Sequence, residues 1–239
     1  MFHTIFYLPL YNALVFLSSV MPGGDVGLAI ISLTILVKLV LFPLFHRATV
    51  TQMMMKKVEP EIALIKEKYK DDQQLQTKKI LEVYKTNKIN PLVSFLAILV
   101  QLPIVLALFW VFQAGFDFTS ASSEVYPFLS SLDLTSIRTD MFGFFDITQK
   151  SLILALFTGI TQYIQTALTL PPAPKKKDGS APNFKEDLAR SMNMNMRYFM
   201  PVLIVFIAYG LSSAISLYWI TSNLFSIVQE YYIRQVRKN

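Results

Sequence analysis

The sequence predicts an all-α, polytopic membrane protein, on three observations. Hydrophobic residues make up 53% of its 239 residues and the mean hydropathy is +0.44. Charged residues are only 16% and are clustered, so long stretches carry none. Several of those stretches reach the roughly 20 apolar residues that a hydrocarbon core of about 30 Å requires. For much of the chain the solvent is therefore lipid. The architecture expected is five core transmembrane helices, a cytoplasmic helical hairpin and an N-terminal interfacial helix.

Residues 1–25 are apolar but interrupted by Pro9, Asn12 and Gly23-Gly24. No Lys or Arg precedes them, which fits a secretory signal poorly. Two placements suit them: an extra span, or an interfacial helix anchored by Phe2, Phe6, Tyr7 and Tyr11. Both leave Asp25 on the same side, so charge does not choose. The first core span is 26–45. It contains Lys38, and Pro43 cannot donate to the carbonyl of Leu39, which predicts a kink below the lysine.

Residues 46–90 become polar while the helical period persists. Met54, Val58, Ile62, Ile65 and Tyr69 mark one helix face. Pro60 should bend or restart that helix, Lys70-Asp71-Asp72 reads as a turn, and Ile80, Leu81 and Tyr84 mark a second helix. Together they form a hairpin outside the membrane. The second span is 91–113, with Asn90 as N-cap and Pro91 at the first helical position. Gln101 and Pro103 interrupt its apolar face. Residues 114–149 form a loop of little periodicity. The third span is 151–170, whose polar content is Thr158, Thr161, Gln162, Gln165 and Thr166. Residues 171–197 are a proline- and lysine-bearing linker. The uncharged run 198–229 would be about 48 Å long as one helix, too long for one upright span. A turn at Gly210–Ser213 divides it into spans 198–211 and 214–233, followed by a basic tail, 234–239.

Charge sets the expected topology. Of the 22 Lys and Arg, ten lie in 46–90, six in 171–197 and three in 234–239. By the positive-inside rule these segments face the cytoplasm. The 114–149 loop has only Arg138, with Lys150 beside it, against Asp117, Glu124, Asp133, Asp140 and Asp146, and belongs outside. The linker and the tail share a side, so an even number of crossings separates them.

Several function classes drop out. There is no cysteine, so disulfide and thiol chemistry are excluded. His3 and His46 have no zinc-site spacing, and no phosphate-binding loop is present. The serines lack a His–Asp partnership, so no catalytic constellation emerges, and no enzyme activity or cofactor is expected. The net charge of +6 is explained by basic segments facing anionic lipid rather than by a specific nucleic acid.

Lys38 is the sharpest candidate. It lies about 18 Å of helix rise into its span, where a lysine costs roughly 2.5–3.5 kcal/mol on insertion scales. The ordinary alternative is that it snorkels to the cytoplasmic surface, against which seven residues separate it from His46. With no acidic residue read inside a span, a lysine that stays at this depth requires water, and a hydrated, positively lined cavity follows. Gln101, Gln162, Gln165, Tyr218, Trp219 and Asn223 are candidate groups of that cavity, each with an interhelical bond or an interface position as its ordinary alternative. The methionines 53–55, 192, 194 and 196 suit adaptable apolar contact as well as plain packing.

Four stretches, in order, give the chain a family resemblance. L-T-I-L-V-K-L-V-L-F-P-L (33–44) resembles the first core span of the YidC/Oxa/Alb membrane protein insertases. E-P-E-I-A-L-I-K-E-K-Y (59–69) resembles their cytoplasmic helical pair, N-P-L-V-S-F-L-A-I-L-V-Q-L-P-I (90–104) their next span, and S-L-Y-W-I-T-S-N-L-F-S-I-V-Q (216–229) their last span. The resemblance implies five core helices around a groove open to cytoplasm and lipid but closed outside. It also implies a cation there that attracts acidic groups of the client, a role that falls on Lys38. The family usually has arginine at that place, so the bidentate grip on a carboxylate is missing here. S-S-A-I-S (212–216) stands where a Pro/Gly-containing stretch is more usual. The form expected is minimal, without the large outer domain of many Gram-negative members. The implied setting is the bacterial plasma membrane, with client membrane proteins and nascent chains, the ribosome, the Sec translocon and membrane lipids as partners. A small transporter or channel with a midplane lysine is the competing class, although no internal repeat is visible. A purely structural assembly factor is the third.

Overall fold

The computed structural model describes residues 1–116, 124–129, 131–132, 134–170 and 191–236. The proline-rich linker with Lys175–Lys177, Lys185 and Arg190, the tail residues Arg237 and Lys238, and the loop acids Asp117 and Asp133 lie outside them. The described chain is an all-α polytopic membrane protein in two compact units. The first joins residues 1–40 to 102–228, and the second joins 41–101 to 229–239.

In the first unit, α1 (His3–Val20) opens with a π-helical turn, His3–Tyr7, and continues as α-helix to Val20. Of its buried residues, Tyr7, Tyr11, Leu14, Val15 and Ser18 follow the helical period and form one face, with Asn12 buried beside it. The helix stops because Met21 precedes Pro22 and is extended, and because Gly23 and Gly24 take φ of +70° and +68°. Asp25 then caps α2 (Val26–Val40), its Oδ1 accepting the Leu28 N–H at 3.0 Å. The buried face of α2 is Val26, Ala29, Ile30, Leu33, Thr34 and Lys38. Residues 102–113 of α5 (Leu92–Gln113), α6 (Leu152–Thr169), α7 (Met200–Gly210) and residues 213–228 of α8 (Ser213–Val236) complete the unit. Helices α6 and α7 approach closely at Gly159, where an added Cβ would overlap the Val205 side chain and stand 3.2 Å from the Pro201 carbonyl oxygen.

The loop before α6 is more ordered than its lack of periodicity suggested. It contains a short antiparallel ribbon, β1 (Asp140–Met141) and β2 (Phe145–Asp146), paired Asp140 to Asp146 and Met141 to Phe145. Strands of two residues are too short to show an alternating pattern. Main-chain bonds tie this segment to the rest. Arg138 N–H donates to Gly24 O at 2.8 Å, and Val26 N–H to Arg138 O at 3.1 Å. Ser213 N–H donates to Gln149 O at 2.9 Å, and Ala214 N–H to Ile147 O at 3.0 Å. Outside the membrane spans, the hydrogen bonds from Arg138 hold the Asp140 carboxyl below its usual carboxylate range.

In the second unit, α3 (Phe42–Lys68) begins after a break at Leu41 with Pro43 in its first turn. It packs against α4 (Gln73–Thr86), which Asp72 caps by accepting the Leu75 N–H at 2.9 Å. Two expectations need correction. Helix α3 runs through Pro60 without restarting. Val58 and Ile62, on either side of the proline, are both buried with Val83 and Ile89, and that packing offsets the lost bond and the ring clash. Leu81 is exposed, and Val83 takes its place in the core. Met54, Met55, Ile65, Ile80 and Tyr84 surround this cluster. So small a core gives low local stability. Amides of 53–88 are expected to exchange with deuterium well before those of Val26–Val40. Equal protection in the two segments, measured by mass spectrometry in detergent, would contradict this.

Among the described residues, three helices, α1, α5 and α6, are long and apolar enough to cross a membrane, or four spans if α2 and α3 are taken together as one. Helix α7 has 11 residues, extended at its start by a π-turn, Asn195–Phe199. The chain breaks at Leu211, which is extended, before α8 begins.

Candidate functional site

Lys38 lies on the interior face of α2. Ile30, Thr34 and Lys38 follow at four-residue steps, so the lysine extends the same buried stripe. Leu36, Leu39 and Val40 on the other faces are exposed, whereas Lys38 is only 8% exposed. Its Nζ donates to Ser226 Oγ on α8 at 3.3 Å, and that hydroxyl donates to Ser222 O at 2.9 Å. One helical turn earlier, Asn223 Nδ2 donates to Thr161 Oγ1 on α6 at 3.3 Å. The Thr161 hydroxyl lies 3.0 Å from each of the Phe157 and Thr158 carbonyl oxygens. Thr158, fully buried, donates to Leu154 O at 2.8 Å and lies 3.4 Å from Ser216 O on α8.

On α8, Ser216, Trp219, Asn223 and Ser226 succeed each other at steps of three, four and three. That spacing puts them on one face. The site is therefore a polar stripe where α2, α6 and α8 meet, with one cation among hydroxyls and a carboxamide. It offers hydrogen-bond donors and a positive charge. Among the described residues no three His, Asp or Glu side chains converge.

The other candidates divide. Tyr218 is buried beside the stripe, its ring 6.4 Å from that of Phe112. Gln162 and Gln165 are half-buried and donate along their own helix, to Thr166 Oγ1 and Thr169 Oγ1, both at 3.1 Å. Gln101 is half-buried in the second unit. Residue-by-residue reading passed over Ser216, Ser222 and Ser226, because a lone serine in an apolar helix is a weak signal. Their common spacing with Trp219 and Asn223 would have found Ser216 and Ser226. It also placed no acid in any span, yet Glu230 falls within 214–233. This carboxylate is 6% exposed and accepts from Arg234 Nη2 at 2.6 Å.

The sequence profile of the 60Kd inner membrane protein family matches residues 16–239. Among curated relatives, the membrane protein insertase YidC of Fusobacterium nucleatum is 33% identical over 210 residues, which cover 88% of this chain and 86% of that protein. The membrane protein insertases YidC of Francisella philomiragia and of Francisella tularensis subsp. novicida are each 32% identical over 210 residues. Those residues are 88% of this chain and 32% of either relative. The chain thus spans most of the Fusobacterium protein and about a third of the Francisella ones.

Proposed function

The chain belongs to the 60Kd inner membrane protein family, and from that membership we infer that it is a membrane protein insertase of the bacterial plasma membrane, whose working surface is the stripe around Lys38. The observation that carries this is a lysine held on an interior helix face, its Nζ donating to the Ser226 hydroxyl of another helix. Intramembrane cations face a bundle interior or a watery cavity.

The mechanism follows from solvation. A single-span client must carry a short polar tail across hydrocarbon. A groove wetted by Ser216, Asn223, Ser226 and Thr161 shortens the distance over which that tail lacks hydrogen-bond partners. Lys38 adds Coulomb attraction for acidic tails, stronger there than in bulk water. The client's apolar segment then leaves sideways into lipid, where about 20 buried residues drive the step. No nucleotide is needed. The basic hairpin is available to the ribosome, to the Sec machinery or to anionic lipid. Purified protein in vesicles should insert a Sec-independent client whose short outer tail becomes protected from added protease. Protection no greater than in empty vesicles would overturn the reading, and a solute current without protection would indicate a transporter.

The topology that goes with this has the hairpin and the C-terminus in the cytoplasm, the 114–149 loop outside, and α1 in the outer interface. Contacts of α1 support the last point. His3 and Tyr7 meet the Glu124 carboxylate at 3.3 and 3.1 Å, and Asn12 bonds the main chain of both Glu124 and Tyr126. Gly24, beyond the other end, bonds Arg138 of the same loop. Because the chain has no cysteine, single thiols report sidedness cleanly. Ser131→Cys should react with an impermeant maleimide from outside intact cells, and Lys78→Cys only after lysis. The reverse pattern would invert the topology.

A further inference from the structure

The turn of the β-ribbon presents two aromatic rings to the surroundings. Phe142 is 61% and Phe144 is 82% exposed, with ring centroids 6.4 Å apart and planes inclined by 27°. Phe142 has a φ of +55°, a left-handed conformation rare for a bulky side chain. Strain of this kind persists where the surroundings over-determine it. Here the Phe142 N–H donates to Asp25 Oδ2 at 2.8 Å, while Gly143 N–H donates to Asp140 O at 3.2 Å and Phe144 N–H to Met141 O at 3.3 Å. Packing of the rings against the core is not the reason for the strain, since both point away from it.

The height of the turn is set by the same contacts. Asp25 caps α2, and Arg138 pairs with Gly24 and Val26 on either side of it. The Met141 side chain fills the space where a Cβ of Gly27 would be. The turn is therefore held beside the first turn of a helix whose residues 26–37 carry no charge. That is the level at which hydrocarbon begins. Large apolar rings at this level meet the boundary between headgroups and acyl chains. Two rings bury at most about 500 Å², well short of the roughly 1,200 Å² of a stable protein interface.

We propose that the Phe142–Gly143–Phe144 turn is a lipid anchor in the outer leaflet, set by Asp25 so that the ribbon and the start of α2 keep a fixed depth in the membrane. This rests on the outward topology given above, and the experiment separates the two. Phe144→Cys and, as a control on the same loop, the exposed Ser131→Cys are each labelled with an environment-sensitive fluorophore in vesicles. Sidedness of labelling is read first, and labelling from the cytoplasmic side would sink the topology. With the topology intact, lipids brominated near the glycerol should quench the Phe144 probe at least about two-fold more than the Ser131 probe. Aqueous iodide should show the opposite order. Equal lipid quenching at both sites would mean that the fluorophore itself seeks the membrane. Iodide quenching at Phe144, or no quenching at all, would mean water or a protein partner covers the turn. Each of these results overturns the anchor.

Discussion

Lys38→Ala is expected to slow insertion of clients with acidic outer tails about ten-fold, at equal protein level. At an effective dielectric of about 20 and a separation of about 8 Å, two opposite charges attract by roughly 2 kcal/mol, and water in the groove trims this toward the 1.4 kcal/mol of a ten-fold effect. Lys38→Glu should be worse, since attraction becomes repulsion. Lys38→Arg should retain activity, because the charge stays and the side chain can still donate to Ser226. Clients with neutral tails should be affected far less by all three, having no Coulomb contribution to lose. Protein level must be matched, since removing a costly intramembrane charge can itself stabilise the bundle. Wild-type insertion of acidic-tailed clients by Lys38→Ala would remove the electrostatic part of the mechanism and leave hydration of the stripe as the sole agent.

Gly24→Ala should be a severely damaging single methyl group. Gly24 has a φ of +68°, and an added Cβ would overlap the Ser136 carbonyl oxygen and stand 2.9 Å from its carbon and 3.0 Å from Ile137 Cα. All three atoms are backbone, so no rotamer change relieves the clash. Conformational strain of order 1–3 kcal/mol adds to displacement of the strand that bonds Gly24 and Val26. The total is expected to exceed about 3 kcal/mol and to put the variant in the severe class. Gly23→Ala supplies the comparison, since Gly23 has a similar φ of +70° but nothing within 4 Å of the added carbon. It should lose only the strain, about 1 kcal/mol. Thermal midpoints in detergent read the difference. Equal losses at the two positions would show that the contact with Ser136 does not matter.

Much of the helical layout was legible because helices declare themselves locally. The apolar runs, the cap at Asn90, the turn at Lys70-Asp71-Asp72 and the break near Gly210–Ser213 all depend on residues within one or two turns of each other. Asn90 Oδ1 accepts the Leu92 N–H at 3.1 Å, the local bond that its side chain and the following proline foretell. Lys38 stood out for the same reason, as one charge in an apolar stretch. What was misread depended on partners far along the chain. Pro60 is tolerated within α3 because of packing against α4, and Val83 displaces Leu81 from the core by the rotation of α4. Ser226 is 188 positions from the lysine it accepts from. The ribbon at 140–146 is too short to have a period and exists through its bonds to residues 24–26.

By itself the sequence determined that this is a membrane protein of α-helices, which segments are basic, and that one lysine lies within an apolar stretch. Hydropathy and charge are properties of each residue and need no partner to be read. The tertiary structure alone decided that Lys38 faces Ser226, that Asn223 joins α8 to α6, and that Asp25 holds a strained aromatic turn. Those outcomes depend on which faces of separate helices meet, and side-chain hydrogen bonds reach only about 3 Å. No local pattern specifies which residue stands at that distance.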